Sequence, residues 1–325
     1  MDGAINIAAS LFISTPPSLP DATGGISYRQ PLSTSSAAGT VTWSNVSGAL
    51  PDGLTLDPAS GVISGAASWA GTFQFTVQAV DGAGQVAQQK FTLAVTLAPL
   101  PPVTITGLPN TVAPAQQLIT GVALTAAYPL DIVGQLNLTV TPDSALGVID
   151  PSVQFAAGGV TVPFRIAAGS LQATFAQTPG FQTGTVMGTL KLDVTLQTGG
   201  QNVSPPYSPA ISGQIARLAP VIVGTPSVTR TANAIQVSLI GFATSREVTS
   251  ATFHFTGTNL QTTDINVSLS SLLGGWFSDP QSIAFGSTFK LVQQFTVQGA
   301  ASQVMGVTIT LTNAVGSSTP VSVTF

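Results

Sequence analysis

The sequence predicts an all-β chain of antiparallel β-sandwich modules arranged in tandem. Three observations point there. Apolar and polar residues alternate with period two along most of the chain, turn-forming residues separate the alternating runs, and two proline-rich stretches cut the 325 residues into three parts of sandwich size.

Alternation is clearest in "TFQFTVQAV", Thr72 to Val80, where Phe73, Phe75, Val77 and Ala79 share one face and Thr72, Gln74, Thr76 and Gln78 the other. Successive strand side chains point to opposite faces, so this pattern describes a strand with one side buried. "KFTLAVTL" (90–97), "QLNLTV" (135–140), "VTVPFRI" (160–166), "LKLDVTL" (190–196), "IQVSLIGF" (235–242), "ATFHF" (251–255) and "VTITL" (307–311) repeat it. Gly, Pro, Asn and Asp lie between the runs, where turns need them. Helical periodicity is nearly absent, so almost no α-helix is expected.

Prolines gather in "LAPLPPVTI", Leu97 to Ile105, and "RLAPVIVGTP", Arg217 to Pro226. Proline stiffens a linker into an extended spacer. The boundaries therefore fall near residues 99 and 218, giving modules at 1–98, 99–217 and 218–325 in a line.

The first module contains "LPDGLTLDPASGVISGAASWAGTFQFTVQAVD", Leu50 to Asp81. Leu54 and Leu56 point inward on a short strand, and "DPASG" makes a turn in which Gly61 is free to take positive φ. Ile63 returns to the core, and Gly65 and Gly71 let the chain pass between sheets. Leu54, Ile63, Phe73, Phe75 and Val77 form the expected core.

Leu50, Pro51, Gly53, Leu54, Leu56, Gly61, Ile63, Gly65, Gly71, Phe73, Phe75, Val77, Asp81 and Gly84 together resemble the bacterial putative-Ig repeat, over about residues 17–96. The resemblance implies an Ig-like, cadherin-like β-sandwich. Ala67 departs from it, standing where the family often has proline. Farther on, "VQFAAGGVTVPFRIAAGSLQATF", Val153 to Phe175, is loosely similar to strand pairs of large secreted bacterial surface proteins, with a tight turn at Ala167–Ser170.

Charged residues make up 6% of the chain, and the formal net charge is −4. An ordinary globular protein carries about 25%. A surface made of Ser, Thr, Gln and Asn suits a protein outside the cell or packed beside copies of itself. The arginines, Arg29, Arg165, Arg217, Arg230 and Arg246, are scattered. Nucleic-acid binding requires a clustered cationic face, so it is rejected. The chain has no cysteine, which rules out disulfides and thiolate chemistry. No apolar run reaches the length of a membrane helix, and residues 1–14 lack the basic start of a signal peptide.

Candidate chemistry is sparse, and no catalytic, cofactor or metal residue is assigned. His254, the only histidine, alternates with Phe253 and Phe255 and so faces away from them. No nucleophile motif accompanies it. Glu247 is the only glutamate. Asp52, Asp57, Asp81, Asp143, Asp150 and Asp279 sit at turns, where aspartate bonds its own backbone. Trp43, Trp69 and Trp276 are too far apart in sequence to suggest a sugar platform. Calcium needs clustered oxygens, and both joints lack acids in sequence. Asp81 is read as a turn cap, and a weak calcium site shared with Asp21 is the alternative. The sequons at Asn45, Asn137, Asn202 and Asn266 are read as accidental.

These features point to a non-catalytic structural or adhesive protein of a bacterial cell surface, self-associating or meeting other surface proteins. One form is a fibre subunit that assembles by strand donation. The other reading is a carbohydrate-binding or spacer region of a larger secreted enzyme, with glycans as partners. The apolar segment Ala4 to Ser14 is expected to be a first strand of its own module, or else a strand added to a neighbouring copy. The last residues, "SSTPVSVTF", read as a final strand.

Overall fold

The computed structural model describes residues 10–204 and 209–325. Its fold is all-β, made of Ig-like, cadherin-like sandwiches. Three separate apolar cores run along the chain, drawn from residues 11–95, 103–215 and 235–311.

In the first core a four-stranded sheet faces a three-stranded one. The larger sheet centres on the hairpin Gly71–Val80 and Val86–Thr96, flanked by Thr42–Gly48 and by a short parallel pairing at Ala22–Thr23. Ser27–Pro31, Val62–Ala66 and Leu54–Leu56 form the other sheet. Phe75 and Phe91 are cross-strand partners with ring centroids 6.0 Å apart, and Leu54, Ile63, Val77 and Ala79 are buried with them. Phe73 and Leu56 are only partly buried. Strands of three and five residues cannot cover a ten-residue strand over its whole length, so Phe73, near its end, escapes full burial.

Phe12–Ile13 pairs with Thr34–Ser35, and Leu11 and Ile13 are buried in the first core. This part of the amino-terminal segment is therefore a strand packed into the first core. The rest, Ala4 to Ala9, lies outside the described residues.

The second core lies under a six-stranded sheet in which Ile132–Pro142 and Gly188–Thr198 pair along their full length. Thr161–Ile166 and Ala210–Ile215 flank them. The expected turn forms at Ala167–Ser170, closed by Ser170 N–H on the Ala167 carbonyl at 2.9 Å.

In the third core Val221–Arg230, Ala234–Phe242 and Thr288–Thr296 face Ser250–Gly257, Asp264–Ser268, Val304–Thr312 and Val321–Thr324. Phe253, Phe255 and Phe295 meet edge to face, at 4.8 and 5.0 Å. The chain crosses between the sheets through the helix Ser270–Ser278 and a 3₁₀ turn, Pro280–Phe285. The sequence reading does not locate this helix.

The second proline-rich stretch is not a free spacer. From Val221 onward it is an edge strand paired with Ala234–Phe242, and Pro226 sits where the register shifts between Val223 and Ser227. An edge position with a bulge is where a sheet tolerates a residue without an N–H.

Candidate functional site

The chemistry-bearing residues do not converge. His254 lies exposed on the outer face of its sheet, its Nδ1 2.8 Å from Asp264 Oδ1. The hydrogen bond from His254, joined by one from Thr263, holds the Asp264 carboxyl below its usual range. Thr308, across the sheet from His254, is 2.8 Å from the Ser322 hydroxyl. This is a polar row on an open face, without the base-to-nucleophile contact that activates a hydroxyl.

The turn aspartates are occupied by their own loops. Asp57 accepts from the N–H groups of Ala59 and Ser60, Asp143 from Ala145, and Asp279 from Gln281. Asp52 differs, since its backbone carbonyl rather than its side chain receives Ser68 N–H. Asp81 accepts from Ala38, Ala83 and Gln85 N–H and from the Gln85 amide, at 2.9–3.3 Å. The bond from Ala38 is the main cause of its depressed pKa. Asp81 is thus a loop clamp as well as a turn cap.

Asp21 stands at the opposite end of the sandwich. It precedes Ala22, which pairs with Val95 opposite Gly71, whereas Asp81 follows Val80. A ten-residue strand separates them, about 30 Å at the usual rise. A calcium site shared by Asp21 and Asp81 is excluded. All four sequon asparagines make side-chain hydrogen bonds, to Gly48, Asp193, Ser204 and Thr252.

The polar side chains that do converge lie at the joints between the cores. At the second joint Asp150 is 3% exposed. It accepts from the N–H and hydroxyl of Ser152 and from the N–H and hydroxyl of Thr185, at 2.6–2.9 Å. Burial pushes its carboxyl up, and these four bonds outweigh it and hold the carboxyl below its usual range. Thr185 in turn receives Ser287 from the third core, and Thr244 O accepts Met187 N–H at 2.9 Å.

Arg246 lies beside this network, buried and with positive φ. It donates to the carbonyls of Gly286 and Phe277 and to Ser282 Oγ, and stacks on Phe277 at 5.0 Å. Burial lowers its pKa and the charge of Asp150 opposes that. Glu247 pairs with Arg217 at the same joint, and Leu218 is held by Thr244 and Asn313. The joint at residue 218 lacks acids in sequence, yet Asp150 and Glu247 reach it in space.

At the first joint Ala70 N–H bonds Gly199 O at 2.9 Å, and Tyr128 OH bonds Ala98 O at 3.0 Å. Gly25 lies so near Pro129 O that a Cβ would stand 2.5 Å from it. Trp69 projects from this joint, 52% exposed, over a cleft of about 470 Å³ that also involves Asp131, Val133, Gln197 and Thr198. Trp43 is buried and Trp276 is half-buried on the helix, so the tryptophans do not meet. A second cavity, of about 420 Å³, opens at one end of the third core between Phe255, Leu260, Phe295 and Gln303.

Among the described residues no group of three His, Asp or Glu side chains is placed to hold a metal, and no helix is long and apolar enough to cross a membrane. Sequence reasoning missed the joint residues Asp150, Thr185, Arg246 and Ser287. Serine, threonine and aspartate look alike in any turn, and only the folded chain brings these four together.

Residues 10–96 match the Putative Ig domain family model. The match starts earlier than residue 17, in keeping with the place of Leu11 and Ile13 in that core. No curated protein matches the chain. Among solved structures, a protein described as a putative alpha-galactosidase from Bacteroides fragilis is 23% identical over 32% of this chain, with a TM-score of 0.25, and the chain spans only 22% of its length. A tetra-tandem repeat from the extending region of a large adhesion protein is 15% identical over 97% of this chain and 72% of its own, with a TM-score of 0.33. The protein SGBP-B of a Bacteroides ovatus mixed-linkage glucan utilization locus, in complex with a heptasaccharide, is 12% identical over 98% of this chain and 71% of its own, with a TM-score of 0.23.

Proposed function

We propose that the chain is a non-catalytic structural or adhesive element of a bacterial cell surface, whose modules at about 1–98, 99–217 and 218–325 act as one stiff unit. The observation that carries this reading is the second joint. Two cores are tied there through a buried carboxylate and two hydroxyls, all hydrogen-bonded, with the guanidinium of Arg246 held beside them. Linked domains move relative to one another by default unless their interface is large and apolar. A satisfied buried polar network is the other way to fix an orientation, because breaking it strands desolvated groups. A chain with 6% charged residues, its polar surface left to Ser, Thr, Gln and Asn, suits an extracellular setting.

Strand donation between copies would have to use residues before Ser10, since Leu11 and Ile13 already fill places in their own core. Light scattering and electron microscopy of the full chain beside one lacking residues 1–9 test the fibre form. Polymers of the full chain that vanish on truncation support it. A full chain that stays monomeric, or a truncated one that still polymerises, removes it. Small-angle X-ray scattering tests stiffness. A curve fitted by a single conformer is expected, and one that demands a broad ensemble contradicts the reading.

A further inference from the structure

The outer face of the second module's sheet carries features that a structural role leaves unused. Across the sheet, Val133 lies between Arg165 and Gln197, and Gln197 pairs onward with Asn202. Two residues along, Gln135 lies between Pro163 and Thr195, and then Asn137 between Thr161 and Asp193. Strand alternation puts all of these on the solvent side, while Ile132, Leu136 and Leu138 are buried beneath. Trp69 closes one end of this face. Gly200 packs so near its six-membered ring that a Cβ would lie 2.1 Å away, and Ala70, the next residue, is tied to Gly199. The ring is therefore fixed relative to the sheet, yet half of it is open.

We propose that this face and its cleft bind a neutral polysaccharide, with Trp69 as the stacking platform. The indole face carries negative quadrupole charge and accepts the polarised C–H groups of a pyranose ring. Asp131, on the cleft wall, uses one lone pair of each carboxylate oxygen, for Arg165 and for Ala168 N–H. A carboxylate has about four such sites, so it can accept two sugar hydroxyls as well. Gln135 and Gln197 are exposed on this face, and each amide offers donors and an acceptor. Charge complementarity selects the ligand. Asp131 pairs with Arg165 and Lys191 with Asp193, so the face is neutral overall and offers a polyanion nothing. A fixed aromatic plane with exposed amides and a carboxylate around it supplies the few placed polar groups by which a concave site orients its ligand.

The test is native electrophoresis of the full chain in gels containing, separately, soluble β-glucan, xylan, galactomannan, pullulan and the polyanion alginate. Retardation by at least one neutral polysaccharide and not by alginate is expected. Trp69→Ala should abolish it, and Gln197→Ala should weaken Kd about fivefold, the factor for one lost hydrogen bond. Gln197 is an exposed strand position, so its replacement does not put the fold at stake. Migration unchanged in every neutral gel, retardation by alginate alone, or retardation that either variant keeps in full overturns the proposal.

Discussion

Ser287 and Thr185, 102 residues apart in the chain, hold each other by two hydrogen bonds. Ser287 N–H donates to Thr185 Oγ1 at 2.9 Å, and Ser287 Oγ donates to Thr185 O at 2.6 Å. Because Thr185 Oγ1 also donates to Asp150, one hydroxyl joins the third core to a buried carboxylate of the second. Thr185→Val keeps the shape and removes this hydroxyl, leaving Ser287 N–H and one Asp150 lone pair without it. The expected loss is about 1–3 kcal/mol, the desolvation cost of a buried group left unpaired. Urea denaturation of the full chain measures it. An unchanged midpoint would mean the joint does not contribute to stability.

Acid should loosen the same joint. The folded pKa of Asp150 is depressed, so its stabilisation is fully present above the unfolded value of about 4 and is lost as pH falls through the lower folded value. Arg246 stays charged across that range. Melting temperature should therefore fall below about pH 4 in the wild type and fall less steeply in Asp150→Asn, which is already weakened at pH 7. Parallel acid profiles for the two proteins would assign the acid sensitivity to other carboxylates.

Phe75→Ala should cost about 3–5 kcal/mol, since its ring is fully buried against Phe91. Phe73→Ala should cost less, about 1–2 kcal/mol, because Phe73 is only partly covered. Equal costs would show that the facing sheet covers both rings alike. Denaturant titration of the two variants checks this.

Gly61 has φ +68, and a Cβ there would lie 2.6 Å from the buried Trp43 indole. Gly61→Ala should cost about 2–4 kcal/mol from left-handed backbone strain together with overpacking, and it should red-shift Trp43 fluorescence. A silent substitution would refute the packing of the turn on Trp43.

The strands and turns were legible because one physical signal, alternation with period two, survives in each strand taken alone. The glycine spacing of the first module was legible for a similar reason, since Gly61 takes positive φ in its turn and Gly65 takes it inside the strand Val62–Ala66, where a Cβ would stand 2.0 Å from Gly53 O. The helix Ser270–Ser278 was hidden by Gly274 and Gly275 and by its serines. Leu269, Leu273 and Phe277, four residues apart, carried its apolar stripe. The joints were illegible because their partners are far apart in sequence. Glu247 meets Arg217, and Trp69 meets Gly200, at the boundaries between cores, where no local pattern marks the pairing.

The claim that the modules form one stiff unit is tested most directly by distances between them. Because the chain has no cysteine, pairs introduced at the exposed strand positions Gln74, Thr195 and Gln236 can be spin-labelled cleanly. Pulsed electron-resonance distances for Gln74→Cys with Thr195→Cys, and for Thr195→Cys with Gln236→Cys, should each give one narrow distribution. The second should broaden when Thr185→Val is added. Broad distributions in the parent pairs would show hinged modules and contradict the account.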